Sequence, residues 1–577
     1  MAHRSHLFTL RIFHALTESL TESPYSLKRF SQDLLAGITV GIIAIPLAMA
    51  LAIASGVSPE YGLYTAIIAG FIIPLTGGSR YSVSGPTAAF VVILYPIVQQ
   101  YGLSGLLLAT ILAGIILILM AFLRLGRYIE YIPESVTLGF TGGIAVVIAT
   151  LQIKDFLGLQ IANMPEHFID KAALLFHLIP DYNLYSLSVG AITLLVMLSW
   201  PYLKTPIPAH LPAVIIGSFI ALITNQSTGE VATIGSSFNF VLPNGAQGFG
   251  IPSILPELLW PWHRTQAGEP LLVFSWQLLQ DLLPAAFAIA MLGAIESLLC
   301  AVVLDGMSGK KHSANSELLG QGIGNIITPF FGGITATAAI ARSAANFKSG
   351  AKTPIASIIH ALVVLVALIF LSKLLSYLPM ASMAALLLIV AWNMSEAPKA
   401  LHLLKTAPLS DILVLLLCFS LTVLFDMVIA ISAGIIFASL LFMKQIAETT
   451  TVREITHTSK LIDVDIPDGY SVFKICGPLF FAASDKIFGE LSLLCAGNKG
   501  VILYLDAVSI VDSGGVAALR KFIEKSANNN TKIYLADLQR QPLKTLSRAN
   551  LTPNKHVIIV TTLALALQNL KKEEEFH

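Results

Sequence analysis

Charge is scarce in this chain. Asp, Glu, Lys and Arg make up 12% of its 577 residues, against about 25% in an ordinary soluble domain. A soluble protein of this length would hold several cores and need charged surface to cover them, so lipid is left as the solvent for most of the chain. Neither sign of charge prevails. The 35 Lys and Arg against 34 Asp and Glu leave a net +1, without the bulk electrostatic attraction that would recruit nucleic acid. Cysteine is equally sparse: Cys300, Cys418, Cys476 and Cys495 stand without CxxC spacing or a neighbouring histidine cluster, which argues against a disulfide framework and a metal site. His210, His312 and His360 are isolated from one another and read as structural or interfacial. No nucleophile–base arrangement, metal-ligand spacing or phosphate-cradling loop occurs, so neither enzymatic activity nor a cofactor is expected. Residues 1–30 contain no apolar stretch followed by a small-residue cleavage site, and are expected to remain uncleaved and cytoplasmic.

Hydrophobic residues, by contrast, fill 55% of the chain, and the mean hydropathy is +0.77. From Leu34 to Gly78 the one charged residue is Glu60, which reads as two spans joined near Ser58–Glu60. Further apolar runs fall near Leu103–Leu123, Val136–Ile153, Leu184–Tyr202 and Ala209–Thr224. After a polar stretch they resume near Leu282–Leu304, Leu318–Phe331, Ile355–Leu374, Met380–Ala397, Ile412–Phe425 and Val428–Phe442. Each approaches the ~20 residues needed to cross hydrocarbon. Lys28 and Arg29 precede the first span, Arg124 and Arg127 follow the fourth, and Lys310 and Lys311 follow the eighth. Basic residues favour the cytoplasmic side, so both termini are expected inside, at a cell inner membrane. Asp33, Glu60, Glu134, Asp305 and Asp411 sit near span ends, where solvated or capping roles are expected, and Asp426 reads as a turn residue.

Two segments break the hydropathy pattern: SRYSVSGPTAAFVVILYPIVQQ from Ser79, and GGITATAAIARSAANFKSG from Gly332. Each opens as an extended stretch of small and β-branched residues. Each then becomes a helix candidate, near Pro86–Thr87 in one and near Ala339–Ile340 in the other. Each is third in a run of seven hydrophobic segments, so the chain reads as seven plus seven. Interrupted segments in corresponding halves point to a substrate site near the membrane midplane, since irregular backbone survives there only against protein or a water-filled cavity.

Two half-helices with facing N-termini would converge free N–H groups and partial positive charge on one spot. That is an anion site even without a basic side chain. Ser84, Thr87, Thr335 and Thr337 offer hydroxyl donors, and Arg342 offers a full positive charge. Arg342 either touches the anion or pairs with an acid on a neighbouring helix. The acid that stands out is Glu296. It lies nine residues before Asp305, about 13 Å along a helix, too deep for an interfacial carboxylate. Glu296 reads as a proton or coupling site, or as one half of a static pair.

The runs GITVGIIAIPLAMALAIASGVSPEYGLYTAIIAG, GGSRYSVSGPTAAF, ESLLCAVVLDGMSG and NSELLGQGIGNIITPFFGGITATAAIARSAAN resemble the SulP (SLC26-type) anion transporters. The resemblance extends from about Ser31 to Leu570, and within the family the chain looks nearest to bacterial carriers of C4-dicarboxylic acids. It implies a polytopic α-helical, UraA-like fold of fourteen membrane segments in a 7+7 inverted repeat, divided into core and gate domains. It also implies an elevator-like movement of core against gate and a homodimer in the bilayer. By the same resemblance, substrate-binding positions fall on Ser84, Gly85, Thr87, Ala88, Ala341, Arg342 and Ser343, with Glu296 lining the site. Proton-coupled uptake of succinate, fumarate or aspartate is the expectation. Sodium-coupled bicarbonate or sulfate transport, or an anion channel, is the alternative. Two positions depart from the family pattern: Leu47 follows Pro46 where many relatives carry Gln, and Ala341 stands where some carry Ser.

After Lys444 charges return and hydrophobic runs shorten. Strand-like runs at Val472–Ile475, Val501–Leu505 and Lys532–Leu535 alternate with helical patterns near Ser484–Ala496, Gly515–Lys525 and Leu543–Asn550, which indicates a small α/β domain. VDSGGVAAL from Val511 resembles the loop of a STAS domain, although Gly514 occupies the place of its phosphorylatable serine, with Ser513 before it. The expected layout is a cytoplasmic segment 1–30, a transport domain 31–445, a linker 446–459, a STAS domain 460–572 and a tail 573–577. The STAS domain reads as a platform for a regulatory partner, or as support for folding and dimerisation.

Overall fold

The computed structural model describes residues 10–575 apart from 23, 130, 162–163, 166, 204, 206, 228–229, 242–246, 267–273, 426, 457–465 and 552. Asp426 and part of the expected linker and tail therefore lie outside the described residues. Two compact units divide the chain, Met1–Ile435 and Ile436–His577.

The first unit is helical. A short helix α1 (His14–Glu22) precedes α2 (Leu27–Ala54) and α3 (Pro59–Thr76). The Ser26 side chain caps α2 by accepting from Arg29 N, so the first span starts inside the segment expected to precede it. Pro59 opens α3, where its missing N–H costs nothing. A Cβ at Gly62 would lie 2.0 Å from the Ala48 carbonyl oxygen, so glycine is what lets α2 and α3 touch. After a two-residue strand β1 (Ser84–Gly85) comes α4 (Ala88–Phe122). Gly102, at φ 65° and ψ −170°, breaks α4 into a half-helix and a full span, as the sequence indicates.

The chain continues through α5 (Glu134–Leu157), α6 (Phe168–Leu178), α7 (Leu184–Ser199) and α8 (His210–Ser227). The polar stretch that follows carries a hairpin of β2 (Asn239–Val241) and β3 (Gln247–Phe249). The second half runs α9 (Trp276–Ser308), α10 (Ala314–Ile327), β4 (Thr337–Ala338), α11 (Ile340–Lys348) and α12 (Ile355–Leu375). It ends with α13 (Met380–Ser395), α14 (Ala397–Thr406), α15 (Leu409–Leu424) and α16 (Met427–Thr449). Among the described residues nine helices are long and apolar enough to cross a membrane by length and composition.

Reciprocal packing exposes the repeat. The first segment of the second half, α9, packs on α4, just as α2 packs on α12. Likewise α10 packs on α4 and α3 on α12. With seven segments per half, an odd number, equivalent segments cross in opposite directions. These helices form one group. A second group gathers α5, α7, α8, α13 and α15, with α5 against both α13 and α15. The two groups match the core and gate that the resemblance implies.

Helix α1 lies on the end of the bundle where α3 finishes. Phe13 N donates to Thr76 O at 3.2 Å and Ala15 N to Gly77 O at 3.2 Å, while Arg11 N reaches Ser316 Oγ at 3.1 Å. Glu18 and Glu22 pair with Arg80, and Glu22 also pairs with Lys310. Hydrogen bonds from Lys310 and then Arg80 hold the Glu22 carboxyl down at about 2. Asp33, expected in a solvated or capping role, is fully buried. It accepts from Lys352 N at 2.6 Å, Thr353 N at 3.1 Å, Thr353 Oγ1 at 2.7 Å and the Tyr25 hydroxyl at 3.0 Å, tying the start of α2 to the start of α12.

The second unit is a five-stranded sheet in the order β5 (Thr451–Glu454), β6 (Tyr470–Cys476), β7 (Gly500–Ala507), β8 (Lys532–Ala536) and β9 (Val557–Val560). β5 is antiparallel to β6 and the other pairings are parallel. Alternate strand residues face opposite ways. Phe473, Ile475, Val501, Leu503, Ile533 and Leu535 pack against α17 (Phe481–Leu494), α18 (Ser513–Asn528) and α19 (Arg540–Arg548). Val472, Ile502, Tyr534 and Ala536 pack against α20 (Leu563–Glu575). The stretch 446–459, expected as a linker, instead contains the end of α16 and β5. Four residues flanked by polar neighbours carry too little hydrophobic pattern to announce an edge strand.

Asp512 organises the loop before α18. Its Oδ1 accepts from Gly515 N at 2.8 Å and its Oδ2 from Phe481 N at 3.2 Å. A Cβ at Gly514 would come within 2.7 Å of the Phe481 Cβ, so a serine there would collide with the start of α17. Losing a helix cap costs about 1 kcal/mol. Asp512→Ala is therefore expected to lower the unfolding free energy of the C-terminal unit by about that amount, read by urea titration. An unchanged midpoint would show the cap to be idle.

Candidate functional site

The two broken segments meet. β1 and β4 pair antiparallel, with Ser84 opposite Ala338 and Gly85 opposite Thr337. Ala339 N extends the pairing by donating to Val83 O at 3.0 Å. Extended backbone inside a membrane unit needs protein partners for its polar groups, and side chains from distant helices supply them. Asn325 on α10 clasps Ala336 from both sides, donating to its carbonyl at 2.8 Å and accepting from its N–H at 2.9 Å. Asn346 Nδ2 donates to Tyr81 O at 3.0 Å and Ser357 Oγ to Ser82 O at 2.8 Å. Thr65 Oγ1 accepts from Ile334 N at 2.7 Å, and Thr337 Oγ1 donates to Gly293 O at 3.1 Å. Thr335, a candidate donor to the anion, shares a hydrogen bond with Thr110 at 2.7 Å instead.

Each strand leads directly into a helix N-terminus. Thr87 is the N-cap of α4 and Ala339 that of α11, and neither terminus is capped by a side-chain hydrogen bond. Orphan N–H donors and partial positive charge are thus available at two helix starts joined by one strand pair. The Thr87 hydroxyl turns instead to Glu296 on α9, donating to its Oε2 at 3.0 Å. Ala88 stands at the first position of α4 and is buried. At the start of α11 the surface is open: Ile340 is 39% exposed, and Ala341 beside it is exposed as well.

Arg342 sits in the first turn of α11 and is only 2% exposed. Its Nη2 donates to the Pro86 carbonyl at 2.6 Å, while Nε and Nη1 are buried with no hydrogen-bond partner. A Cβ at Gly85 would lie 2.9 Å from Nη1, so glycine leaves the guanidinium its room. A cation in the first turn of a helix opposes the dipole. Among the described residues no ion pair within 4 Å includes Arg342, and the acid of the site is Glu296, held by Thr87. The site thus brings together one guanidinium, one carboxyl group and two helix starts.

Of the eight residues expected at the site, Gly85, Thr87, Ala88, Glu296, Ala341 and Arg342 come together at the two helix starts. The other two, on the same strand and helix start, also accept hydrogen bonds from the scaffold. Ser84 Oγ accepts from Gln321 Nε2 at 3.2 Å, and Ser343 Oγ accepts from Val83 N at 2.9 Å. Sequence reasoning missed Glu317, which is buried and accepts from Gly78 N at 3.0 Å, Ser79 N at 2.9 Å and Gln321 Nε2 at 3.0 Å. An acid four residues before a glutamine on an apolar segment was the signal available. Among the described residues no cluster of His, Cys, Asp and Glu suits a metal ion.

The sequence profile of the sulfate permease family matches residues 30–418, and that of the STAS domain residues 462–565. A Bacillus subtilis protein named "Putative sulfate transporter YvdB" is 39% identical over 91% of this chain and 95% of its own length. The bicarbonate transporter BicA of a Picosynechococcus strain is 26% identical over 90% of each chain. The structure of the murine Solute Carrier 26 family member A9 anion transporter in the inward-facing state superposes with a TM-score of 0.81, covering 98% of this chain and 94% of that one. At 18% identity that last likeness is one of fold.

Proposed function

The chain belongs to the sulfate permease family, membrane anion transporters and not enzymes, and we propose that its cargo is a C4-dicarboxylate taken up together with a proton. The observation that carries this reading is Arg342, buried with unused N–H groups between two uncapped helix starts. Two anion-binding ends joined by one strand pair suit a molecule with two separated carboxylates. Arginine's planar guanidinium suits a carboxylate better than a point charge would. The exposed rim is apolar: Ile340 and Ala341 offer hydrocarbon contact to the carbon chain of succinate or fumarate, which sulfate has no means to use.

Glu296 supplies the coupling. One buried cation faces one acid, and an incoming anion adds negative charge to the same pocket. A proton on Glu296 offsets that addition, so anion and proton load together. Movement of the α2–α4, α9–α12 group past the α5, α7, α8, α13, α15 group then exposes the loaded site to the other side. The basic ends Lys28/Arg29, Arg124/Arg127 and Lys310/Lys311 support cytoplasmic termini in an inner membrane. A homodimer, and a regulatory partner docking on the STAS domain, complete the reading.

A second reading is sulfate or bicarbonate transport, with sodium in place of protons; the names of the relatives favour those anions. Uptake of labelled succinate into proteoliposomes separates the two. Saturable uptake that rises when the outside is made acidic is expected, with weak competition from sulfate and bicarbonate. Absence of saturable succinate uptake, alongside saturable sulfate or bicarbonate uptake, overturns the dicarboxylate assignment.

A further inference from the structure

At the end of α3 away from α1 lies a cavity of about 500 Å³ that shares no residue with the site above. Its walls come from the start of α3, with Ser58, Glu60, Tyr61 and Tyr64, and from the polar stretch before α9, with Phe240, Glu257 and Arg264. Glu60 is only 8% exposed, and its Oε2 has no hydrogen-bond partner. The helix start beside it favours a negative charge, yet a buried carboxylate oxygen left unpaired still costs free energy. Opposite in charge is Arg264. Its Nη2 is committed to the Glu257 and Phe330 carbonyls, while its Nε is buried and unpartnered. Tyr64 lines the same cavity. Tyr61 stacks edge-on against Tyr64 with ring centroids 6.1 Å apart.

The chemistry of these walls narrows the occupant. A simple anion would be repelled by Glu60 and Glu257, and a simple cation by Arg264. A molecule carrying both charges satisfies both buried groups at once. Aromatic faces next to a carboxylate favour an ammonium, and a guanidinium favours a carboxylate. We propose that this cavity is a second binding site, separate from the transport site, for a small zwitterion of the amino-acid type, with its ammonium on Glu60 and its carboxylate toward Arg264. The volume falls within the range of small-molecule sites. Under the topology proposed above it opens on the non-cytoplasmic face, where it would sense the medium and not the cargo.

Titration calorimetry of the purified full-length protein tests this, with glycine as probe and acetate and methylammonium as its two halves. Glycine is expected to bind saturably and each half about tenfold or more weaker, the loss that follows from one missing charged hydrogen bond. Glu60→Gln and Arg264→Gln should each weaken glycine binding by a similar factor, and Arg342→Gln should leave it unchanged. Arg264→Gln stands in should Glu60→Gln fail to fold. Three results overturn the proposal: no saturable glycine binding to the folded wild type, acetate binding as tightly as glycine, or binding lost in Arg342→Gln but retained in Glu60→Gln and Arg264→Gln. None of them bears on the dicarboxylate reading, which succinate uptake tests separately.

Discussion

Replacing Glu296 by glutamine is expected to abolish proton-driven accumulation of succinate while leaving the protein folded and inserted. The substitution keeps the side chain's length and its acceptor oxygen, so the hydrogen bond from Thr87 at 3.0 Å survives. What it removes is the ability to gain and lose a proton. With a neutral amide permanently in place, the pocket retains the positive charge of Arg342 and still takes an anion. Counterflow of labelled against unlabelled succinate, which needs no net proton movement, should therefore continue. Uptake driven by an acidic exterior should fall to the level of protein-free vesicles. Both are read in the same proteoliposomes, with and without the pH gradient. Unchanged accumulation would make Glu296 a packing residue held by Thr87 and would remove the proton from the mechanism.

Arg342→Gln is expected to weaken succinate binding by about tenfold to a hundredfold, since a hydrogen bond to a charged group contributes about 1.5–3 kcal/mol. The measure is the succinate concentration that half-saturates uptake. Arg342 also donates to the Pro86 carbonyl at 2.6 Å, so some loss of stability accompanies any replacement. Two companions separate the roles. Arg342→Lys keeps the charge without the planar donor set and should recover part of the affinity. Gly85→Ala leaves the arginine in the chain but places a Cβ 2.9 Å from Nη1, displacing the guanidinium. A purely structural arginine would lower the melting temperature in all three variants without moving half-saturation in the protein that remains folded. An anion-binding arginine moves half-saturation in each.

Much of this architecture was legible in one dimension. Each span declares itself within about twenty residues, because crossing hydrocarbon is a local requirement. The broken segments were legible for the same reason: a run of small and β-branched residues before Pro86, and another before Ile340, interrupts hydropathy where no soluble loop belongs. Their partners were not. Thr65, Asn325, Asn346 and Ser357 look like ordinary polar residues of helices, and only their reach across the fold shows them holding the carbonyls and N–H groups of the two strands. Ser84 and Ser343 looked like anion donors by position. Their hydroxyl oxygens also accept from Gln321 and Val83, a scaffold role that position along the chain did not announce. Asp33 read as solvated or capping because it lies near a span end; the start of α12 folds over it and buries it, with its carboxylate accepting from the N–H groups there. The strand β5 was hidden by its brevity.

The sequence by itself determined the solvent, the positions of the long apolar spans, the two helix starts and the change to a small α/β domain after Lys444, because each depends on residues that are neighbours along the chain. It also pointed to Arg342 and Glu296, since a charge deep in an apolar run stands out without any structure. The tertiary structure decided which of those groups meet. It paired Gly85 with Thr337 across about 250 residues, turned Thr87 toward Glu296, and left two guanidinium nitrogens of Arg342 without partners. It also brought Glu60 and Arg264 to one cavity. Hydropathy is a sum over a local window, whereas an unsatisfied hydrogen bond is a relation between distant side chains, and only the folded chain brings those side chains within reach.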